Sequence, residues 1–144
     1  MRKVEVAIAI KSSPEQIISA FTDQKMLQAW WDVEQSLVEK RIGGFYTLTW
    51  NVSDKGFGYV STGLVKAYQP NKLLIVDNLI YLNPEKPFLG PLTLHIEVEA
   101  SEDTTQLYLK QEGYQSGEDW DWYYEAVTKA WPIVLESLKD YLEN

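Results

Sequence analysis

The sequence predicts an α+β fold in which a curved antiparallel sheet of seven strands wraps around a long C-terminal helix. Apolar side chains recur every three or four residues over 118–143, as they do on one face of a long helix. In the middle of the chain, short segments of alternating apolar and polar residues are joined by short turns, which is typical of antiparallel strands. No composition break or repeat divides residues 1–144, so we expect a single domain.

One strand and two short helices are predicted to open the fold. Over residues 3–11, large apolar side chains alternate with small or polar ones, which predicts a half-buried strand. The Ser-Pro-Glu-Gln segment that begins at Ser13 should start a helix, because serine caps it, proline suits its first turn and glutamine completes a capping box. We expect Asp23 to cap a second short helix that carries two adjacent tryptophans.

Six further strands are predicted before the last helix. Gly, Pro, Asn and Asp residues separate them and supply the turns. Residues 83–91 hold three prolines and a glycine and are predicted to form a loop with Phe88 and Leu89 at its tip. The predicted strands span residues 36–41, 45–52, 59–68, 72–81, 92–99 and 105–112.

The last helix, over residues 118–143, is predicted to be aromatic at its upstream end and aliphatic at its downstream end. Its acidic first turn suits the positive end of the helix dipole, an explanation we favour over a metal site there. The main apolar stripe consists of Trp120, Tyr124, Val127, Trp131, Leu135, Leu138 and Leu142, and a second stripe of Tyr123, Ala126, Ala130 and Ile133 runs beside it.

The composition excludes several classes of protein. The net charge of -8 disfavours binding to a nucleic-acid backbone, and the absence of Cys removes disulfides, thiol nucleophiles and thiolate metal sites. No apolar run approaches the length of a membrane span, and residues 1–5 lack an apolar signal core, so we expect a cytoplasmic location. The sequence calls for no cofactor. Six Trp and nine Tyr suit either a core or a small-molecule pocket.

Short segments along the whole chain resemble one known family. An FTD segment followed by adjacent tryptophans is similar to its FTDP…WW motif, and the GGFY segment resembles its GG-x-F. The chain thus resembles the START-like, Bet-v-1-like (SRPBCC) superfamily, in particular the branch named for the activator of heat-shock protein 90 ATPase. The segments that carry the resemblance are 8–17, 21–23, 30–31, 43–46, 63–65, 70–74, 105–109, 113–114 and 130–142.

The resemblance implies the helix-grip fold and a cavity between sheet and helix, in which relatives hold lipids, hormones or polyketides. It transfers no catalytic residue, because the family shares none. The family name comes from a two-domain co-chaperone, and a chain of this length corresponds only to its C-terminal domain.

Inward-facing residues of the sheet and the aromatic end of the last helix could together line an apolar cavity. Ordinary core packing is the alternative for each such residue, and alternation alone leaves that choice open. The candidate ligand-binding residues are Trp30, Trp31, Tyr46, Leu48, Trp50, Phe88, Leu94, Leu109, Gln111, Tyr123, Val127 and Trp131.

Some candidates have a specific alternative. Trp30 and Trp31 diverge by about 100° on a helix, so one should pack inward and the other lie near a rim, where it could form a pocket wall. The alternative is that the pair only anchors the short helix. Phe88 could tip a lid over the cavity or sit on a rigid connector. Gln111 could orient a ligand or meet water at the end of its strand.

A catalytic or metal site is not expected. His95 is the only histidine, and it alternates with polar residues, so we expect it on the exposed face without convergent partners.

Three functions remain open. A binding module for a small hydrophobic molecule is the first hypothesis. An interaction module that modulates a chaperone or another protein is the second, and a cyclase- or hydratase-type enzyme is the third. The enzyme is disfavoured because no second histidine, cysteine or buried acid pair can be placed.

Overall fold

The computed structural model describes residues 2–144, so Met1 of the predicted domain lies outside the described residues. Within that range the chain forms seven strands and three helices. In chain order they are β1 (Lys3–Ile10), α1 (Pro14–Ala20), α2 (Gln24–Trp31), β2 (Gln35–Val38), β3 (Phe45–Trp50), β4 (Tyr59–Gln69), β5 (Leu73–Leu82), β6 (Leu89–Ser101), β7 (Thr104–Glu112) and α3 (Glu118–Glu143).

The strands form one antiparallel sheet in the order β1-β7-β6-β5-β4-β3-β2. Each strand from β2 to β6 pairs with the next strand along the chain, because short turns favour antiparallel neighbours. β1 pairs with β7 and is therefore the edge strand on the side of the sheet opposite β2. The predicted helix-grip architecture, with its sheet, two short helices and long C-terminal helix, is confirmed.

Strand alternation builds the core on one face of the sheet. Register places Val4, Gln111, Leu94, Val76 and Val65 side by side across five strands, and all five are buried. This inner face is the one that α3 covers, and the opposite outer face meets solvent.

Helix α3 has the predicted bounds. Of the predicted main stripe, Trp131, Leu135 and Leu138 are buried, and the other four residues are half-buried against the core. The second stripe is wrong at Ile133, which is 68% exposed, whereas Val134 packs against the core. Ile133 lies two residues from Trp131 and therefore about 200° around the helix from the buried face.

Both short helices begin at the predicted caps. The Ser13 hydroxyl accepts a hydrogen bond from the Gln16 N–H at 3.1 Å, and the Asp23 carboxylate accepts one from the Met26 N–H at 3.1 Å. The helices pack against each other and against α3.

Two strand boundaries differ from the prediction by three residues, and the others by no more than two. β2 ends at Val38, because the chain turns soon afterwards towards Gly43, which has a φ of 84°. β6 begins at Leu89, a residue predicted at a loop tip, which instead is buried and pairs with Tyr81. The prolines and glycine near this strand start concealed it, so the connecting loop spans only residues 83–88.

Register shifts interrupt the pairing of β4 with β5 and of β5 with β6. Such bulges bend a sheet and increase its local twist. They lie beside Gly63, where an added Cβ would come within 2.8 Å of the Asp77 carbonyl oxygen. This close backbone approach requires glycine.

Across residues 2–144, no helix is both long enough and apolar enough to cross a membrane.

Candidate ligand-binding cavity

A cavity of about 400 Å³ lies between the sheet and α3. Helix α3 packs against β1, α1 and α2, so it closes the fold along one side of the sheet. Between these supports, the helix stands away from β3, β4 and β5, and the gap is the cavity. Its volume is within the range of sites that hold small organic molecules.

One wall comes from α3. Large side chains alternate there with two alanines, and the small residues leave the space open. The helix contributes Trp122, Tyr123, Ala126, Val127, Ala130, Trp131 and Val134.

The opposite wall comes from the inner face of the sheet, with one residue from α2 and one from the β5–β6 loop. Most of these side chains are aromatic or aliphatic. They are Trp31, Tyr46, Leu48, Trp50, Tyr59, Ser61, Leu79, Tyr81, Asn83, Leu94 and Gln111.

Trp31 is the centre of an aromatic cluster at the inner end of the cavity. Its ring lies 5.2 Å from that of Trp50 and 5.3 Å from that of Trp131, so it joins the sheet wall to the helix wall. Trp30 stacks on it from behind at 5.1 Å and contacts Phe21. These contacts hold Trp31 in place, and its ring lines the cavity.

The indole N–H groups of three tryptophans, Trp30, Trp50 and Trp131, donate hydrogen bonds within the protein. Trp50 Nε1 donates to the Trp31 carbonyl at 3.1 Å, and Trp131 Nε1 donates to Gln111 Oε1 at 2.9 Å. Trp30 Nε1 donates to the Ala20 carbonyl at 2.8 Å. A ligand therefore meets indole ring surfaces rather than unpaired N–H groups at this end.

Gln111 is the most deeply placed polar residue of the lining. Its side chain is buried, with the residue 4% exposed, so the alternative that it meets water at a strand end is wrong. Besides accepting from Trp131, it lies beside the Tyr123 hydroxyl, where its hydrogen bond opposes the rise in the pKa of that group. Gln111, on the sheet wall, thus orients two side chains of the helix wall.

The lining is uncharged. Of the described residues that line the cavity, none is Asp, Glu, Lys, Arg or His. Burial raises the pKa of Tyr46 and of Tyr123 far above the usual value, so both hydroxyls stay neutral at any physiological pH. The Tyr46 hydroxyl already donates to the Phe21 carbonyl at 2.7 Å.

The mouth of the cavity is formed by its exposed lining residues, Tyr59, Trp122, Ala126 and Ala130. Beside it, three tyrosine rings stack in a line, with Tyr81 6.3 Å from Tyr59 and 4.8 Å from Tyr123. This stack links β4 and β5 to α3 and so fixes one side of the opening.

The β5–β6 loop is fastened to α3 next to this mouth. Lys86 Nζ lies 4.5 Å from the centre of the Trp122 ring and 3.3 Å from a carboxylate oxygen of Asp119. The acidic first turn of α3 therefore holds basic side chains, since Asp121 likewise pairs with Arg2 at 2.8 Å.

The structure brings together most of the candidate residues but leaves three outside the lining. Trp30 is buried behind Trp31, and Leu109 is buried in the core nearer β1. Phe88 is 77% exposed and lines a separate shallow groove with Phe57 and Leu82. The candidates that do line the cavity are Trp31, Tyr46, Leu48, Trp50, Leu94, Gln111, Tyr123, Val127 and Trp131.

Several lining residues were missed by sequence reasoning. Those on β5 lie at or beyond register shifts, which break simple alternation along that strand. The two alanines had been assigned to a helix stripe, and their small size was the available signal for open space. The missed residues are Tyr59, Ser61, Leu79, Tyr81, Asn83, Trp122, Ala126, Ala130 and Val134.

His95 lies outside the cavity. Its Nε2 atom is 2.9 Å from a Glu97 carboxylate oxygen, and its ring meets the edge of Tyr108. Glu97 and Tyr108 lie on the outer face of the sheet, which is the face predicted for His95. Within residues 2–144, no cluster of three or more His, Cys, Asp or Glu residues is arranged to hold a metal ion.

A family model described as Activator of Hsp90 ATPase homolog 1-like protein matches residues 11–143 of this chain. No curated protein matches the sequence significantly.

Solved structures with the same fold come from several bacteria. The Aha1 dimer from Colwellia psychrerythraea is 22% identical, with a TM-score of 0.72, over 99% of this chain and 97% of that one. The protein MLL2253 from Mesorhizobium loti is 23% identical, with a TM-score of 0.76, over 96% and 95% of the two chains. The protein CV1439 from Chromobacterium violaceum is 19% identical, with a TM-score of 0.73, over 100% and 99%. At these identities the likeness concerns the fold alone.

Proposed function

This chain belongs to the family of Activator of Hsp90 ATPase homolog 1-like proteins, and on that premise we propose that it binds an uncharged, largely apolar small molecule in the cavity between the sheet and α3. Membership supports either a ligand-binding or a chaperone-modulating module. We propose the ligand-binding module, formed by a single domain of residues 1–144.

The observation that carries the proposal is an aromatic cavity whose lining, among residues 2–144, includes no charged side chain. An ionised ligand would lose its hydration there without gaining a partner of opposite charge, at a cost of several kcal/mol. A neutral ligand loses only apolar hydration, which favours binding by roughly 25 cal/mol per Å² of surface buried.

The aromatic lining further favours a ligand that contains flat rings. Trp31, Trp50 and Trp131 surround the inner end of the cavity, and their rings can stack on a planar group or meet its edge. Near the mouth, the Ser61 hydroxyl and the Asn83 amide line the same space and can hydrogen-bond a single polar substituent.

A pair of fluorescent probes tests this preference directly. N-phenyl-1-naphthylamine is neutral, and 1-anilinonaphthalene-8-sulfonate has the same rings with one added sulfonate. We expect the wild-type protein to bind the neutral probe saturably, with one site, and the sulfonate at least about tenfold more weakly, because burying the charge is unfavourable. Equal affinity for both, or no saturable binding of the neutral probe, would contradict the proposal.

Replacing Trp131 by alanine should weaken binding of N-phenyl-1-naphthylamine by about tenfold. The change removes an indole ring from the cavity wall, and about 60 Å² of lost apolar contact corresponds to that factor. Fluorescence titration measures the effect, and the control is Leu138→Ala, which alters the helix away from the lining. We expect the control variant to bind within twofold of wild type while folded, and a loss equal to that of Trp131→Ala would indicate general loosening of the fold.

A second candidate function rests on the family match rather than on the cavity. The matched family is described by activation of the ATPase of a chaperone, so this chain could modulate such an ATPase through its surface. Stimulation of the ATPase activity of heat-shock protein 90 by this chain, together with no binding of N-phenyl-1-naphthylamine, would favour this candidate over the first.

We also propose a cytoplasmic location, which the cysteine-free composition favours because extracellular proteins of this size commonly carry disulfides.

A further inference from the structure

One hydroxyl inside the cavity has a hydrogen that the protein does not use. Lining residues that are more than nine-tenths buried and carry polar side-chain hydrogens are Tyr46, Gln111, Tyr123 and Trp131. Tyr46 donates to the Phe21 carbonyl, and Trp131 donates to Gln111. The Tyr123 hydroxyl, in contrast, donates to no acceptor among residues 2–144.

Gln111 determines which part of the Tyr123 hydroxyl is free. The amide oxygen of Gln111 accepts from Trp131 Nε1 at 2.9 Å, so the amide nitrogen is the end left for Tyr123. Burial raises the pKa of Tyr123, and the contact with Gln111 opposes that rise, as expected when an N–H group points at the hydroxyl oxygen. The oxygen therefore has a donor, and the O–H hydrogen has no acceptor.

The Tyr123 hydroxyl faces the cavity. Within residues 2–144, the one side-chain nitrogen or oxygen atom that is both sealed from open space and without a partner is the hydroxyl oxygen of Tyr114. The Tyr123 oxygen is therefore not sealed, although the residue as a whole is only 7% exposed. Since the Tyr123 side chain lines the cavity, the open space that its hydroxyl contacts is the cavity.

Packing holds the ring of Tyr123 in place. It stacks on Tyr81 at 4.8 Å and meets the rings of Tyr114 at 6.0 Å and Trp120 at 6.3 Å. A donor on a ring fixed in this way loses little conformational freedom when a ligand binds, which favours affinity.

We propose that Tyr123, positioned by Gln111, binds a carbonyl oxygen, so that the ligand of the cavity is a neutral molecule with flat rings and a carbonyl group. This inference rests on the proposed binding function. A carbonyl oxygen has two lone pairs and no hydrogen, so it supplies the acceptor that the Tyr123 hydroxyl lacks. An N–H or O–H group of a ligand fits less well there, because the oxygens of Tyr123 and Gln111 already face donors.

The hydrogen bonds at this subsite all run in one direction. Trp131 donates to Gln111, Gln111 to Tyr123, and Tyr123 to the ligand. In a chain of this kind each bond polarises the next, so the terminal hydroxyl becomes a stronger donor than an isolated tyrosine.

The mouth of the cavity selects less sharply between donors and acceptors. The Ser61 hydroxyl, which lines it, can either donate or accept. The Asn83 amide already accepts from the Glu85 N–H at 2.9 Å and donates to the Tyr81 hydroxyl at 3.3 Å. The kind of polar group that the ligand carries is therefore decided at Tyr123.

Two fluorescent naphthalenes that differ only at one carbon test the proposal. The ketone is 6-propionyl-2-(dimethylamino)naphthalene, and in the alkyl compound a propyl group replaces the propionyl group. Tyr123→Phe should weaken binding of the ketone about tenfold, because it leaves a buried carbonyl without a donor, and should change binding of the alkyl compound by no more than about twofold. Fluorescence titration of both compounds against both proteins isolates the coupling between hydroxyl and carbonyl.

Tyr124→Phe is the matched control. It removes the same hydroxyl from the next residue of α3, where that group donates to the Lys3 carbonyl outside the lining. We expect it to bind both compounds within about twofold of wild type. Circular dichroism verifies that both variants fold.

Infrared spectra of the bound ketone, labelled with carbon-13 at the carbonyl, show the hydrogen bond directly. A hydrogen bond lowers the C=O stretching frequency, so the band should move to higher frequency in Tyr123→Phe and stay in place in Tyr124→Phe. An unmoved band in Tyr123→Phe, or equal loss of affinity for the two compounds, would overturn the carbonyl subsite and leave the apolar cavity standing. No saturable binding of either compound to wild type would instead contradict the binding function itself, and the subsite with it.

Discussion

Replacing Leu138 by alanine is expected to lower the free energy of unfolding by about 2–4 kcal/mol. Leu138 is fully buried in the aliphatic half of α3, in the same core as Leu135. Alanine removes apolar contacts and leaves a cavity that the rigid sheet beside it fills only in part. Urea unfolding followed by circular dichroism measures the change.

Ile133→Ala is the matched control, since it shortens an aliphatic residue of the same helix on the exposed side. It should change the stability by no more than about 0.5 kcal/mol. A loss at Leu138 that is as small as the loss at Ile133 would show that this face of α3 does not stabilise the core.

Replacing Ala130 by tryptophan is expected to weaken binding of N-phenyl-1-naphthylamine by more than about tenfold without unfolding the protein. Ala130 lines the cavity yet remains exposed, so a large side chain there can fill the mouth without displacing the core. Tryptophan has a moderate helix propensity, so the substitution should change the free energy of unfolding by no more than about 1 kcal/mol. Fluorescence titration and thermal unfolding measure the two effects.

Ile133→Trp is the control for this variant. It puts the same side chain on α3 at an exposed position away from the cavity lining, and it should bind the probe as wild type does. If Ala130→Trp also binds as wild type does, the probe occupies another part of the surface, and the proposed site is wrong.

Much of the fold could be predicted because the relevant signals are local. The steps of three and four residues over α3 reflect burial of one face, and the caps at Ser13 and Asp23 reflect hydrogen bonds to the first turn of each helix. The start of β6 could not be predicted in this way. Its Leu89 is followed by a glycine and a proline that normally mark a loop, and only pairing with β5 makes it a strand.

The candidate site was predictable where alternation is regular. Tyr46, Leu48 and Trp50 share one face of β3, and the structure places all three on the cavity wall. Tyr81 was missed, because bulges between β4 and β5 shift the register in a way that no single strand reveals. Tyr59 pairs regularly with Trp50, and only that pairing between strands shows that it shares the cavity face.

The position of Phe88 could not be predicted from the sequence. An apolar residue at a loop tip resembles a lid, but its position depends on where the loop folds, and here it faces a shallow groove beside Phe57. Gln111 was ambiguous for a similar reason, since a polar residue near a strand end is buried only if a partner from another element reaches it. Trp131 is that partner.

The binding cavity is tested most directly by nuclear Overhauser effects between N-phenyl-1-naphthylamine and the wild-type protein. The proposal predicts contacts from the probe's ring protons to the side chains of Trp31, Trp50 and Trp131, which surround the inner end of the cavity. Contacts only to Phe57 and Phe88 in the shallow groove, or no contacts at saturating probe, would contradict it.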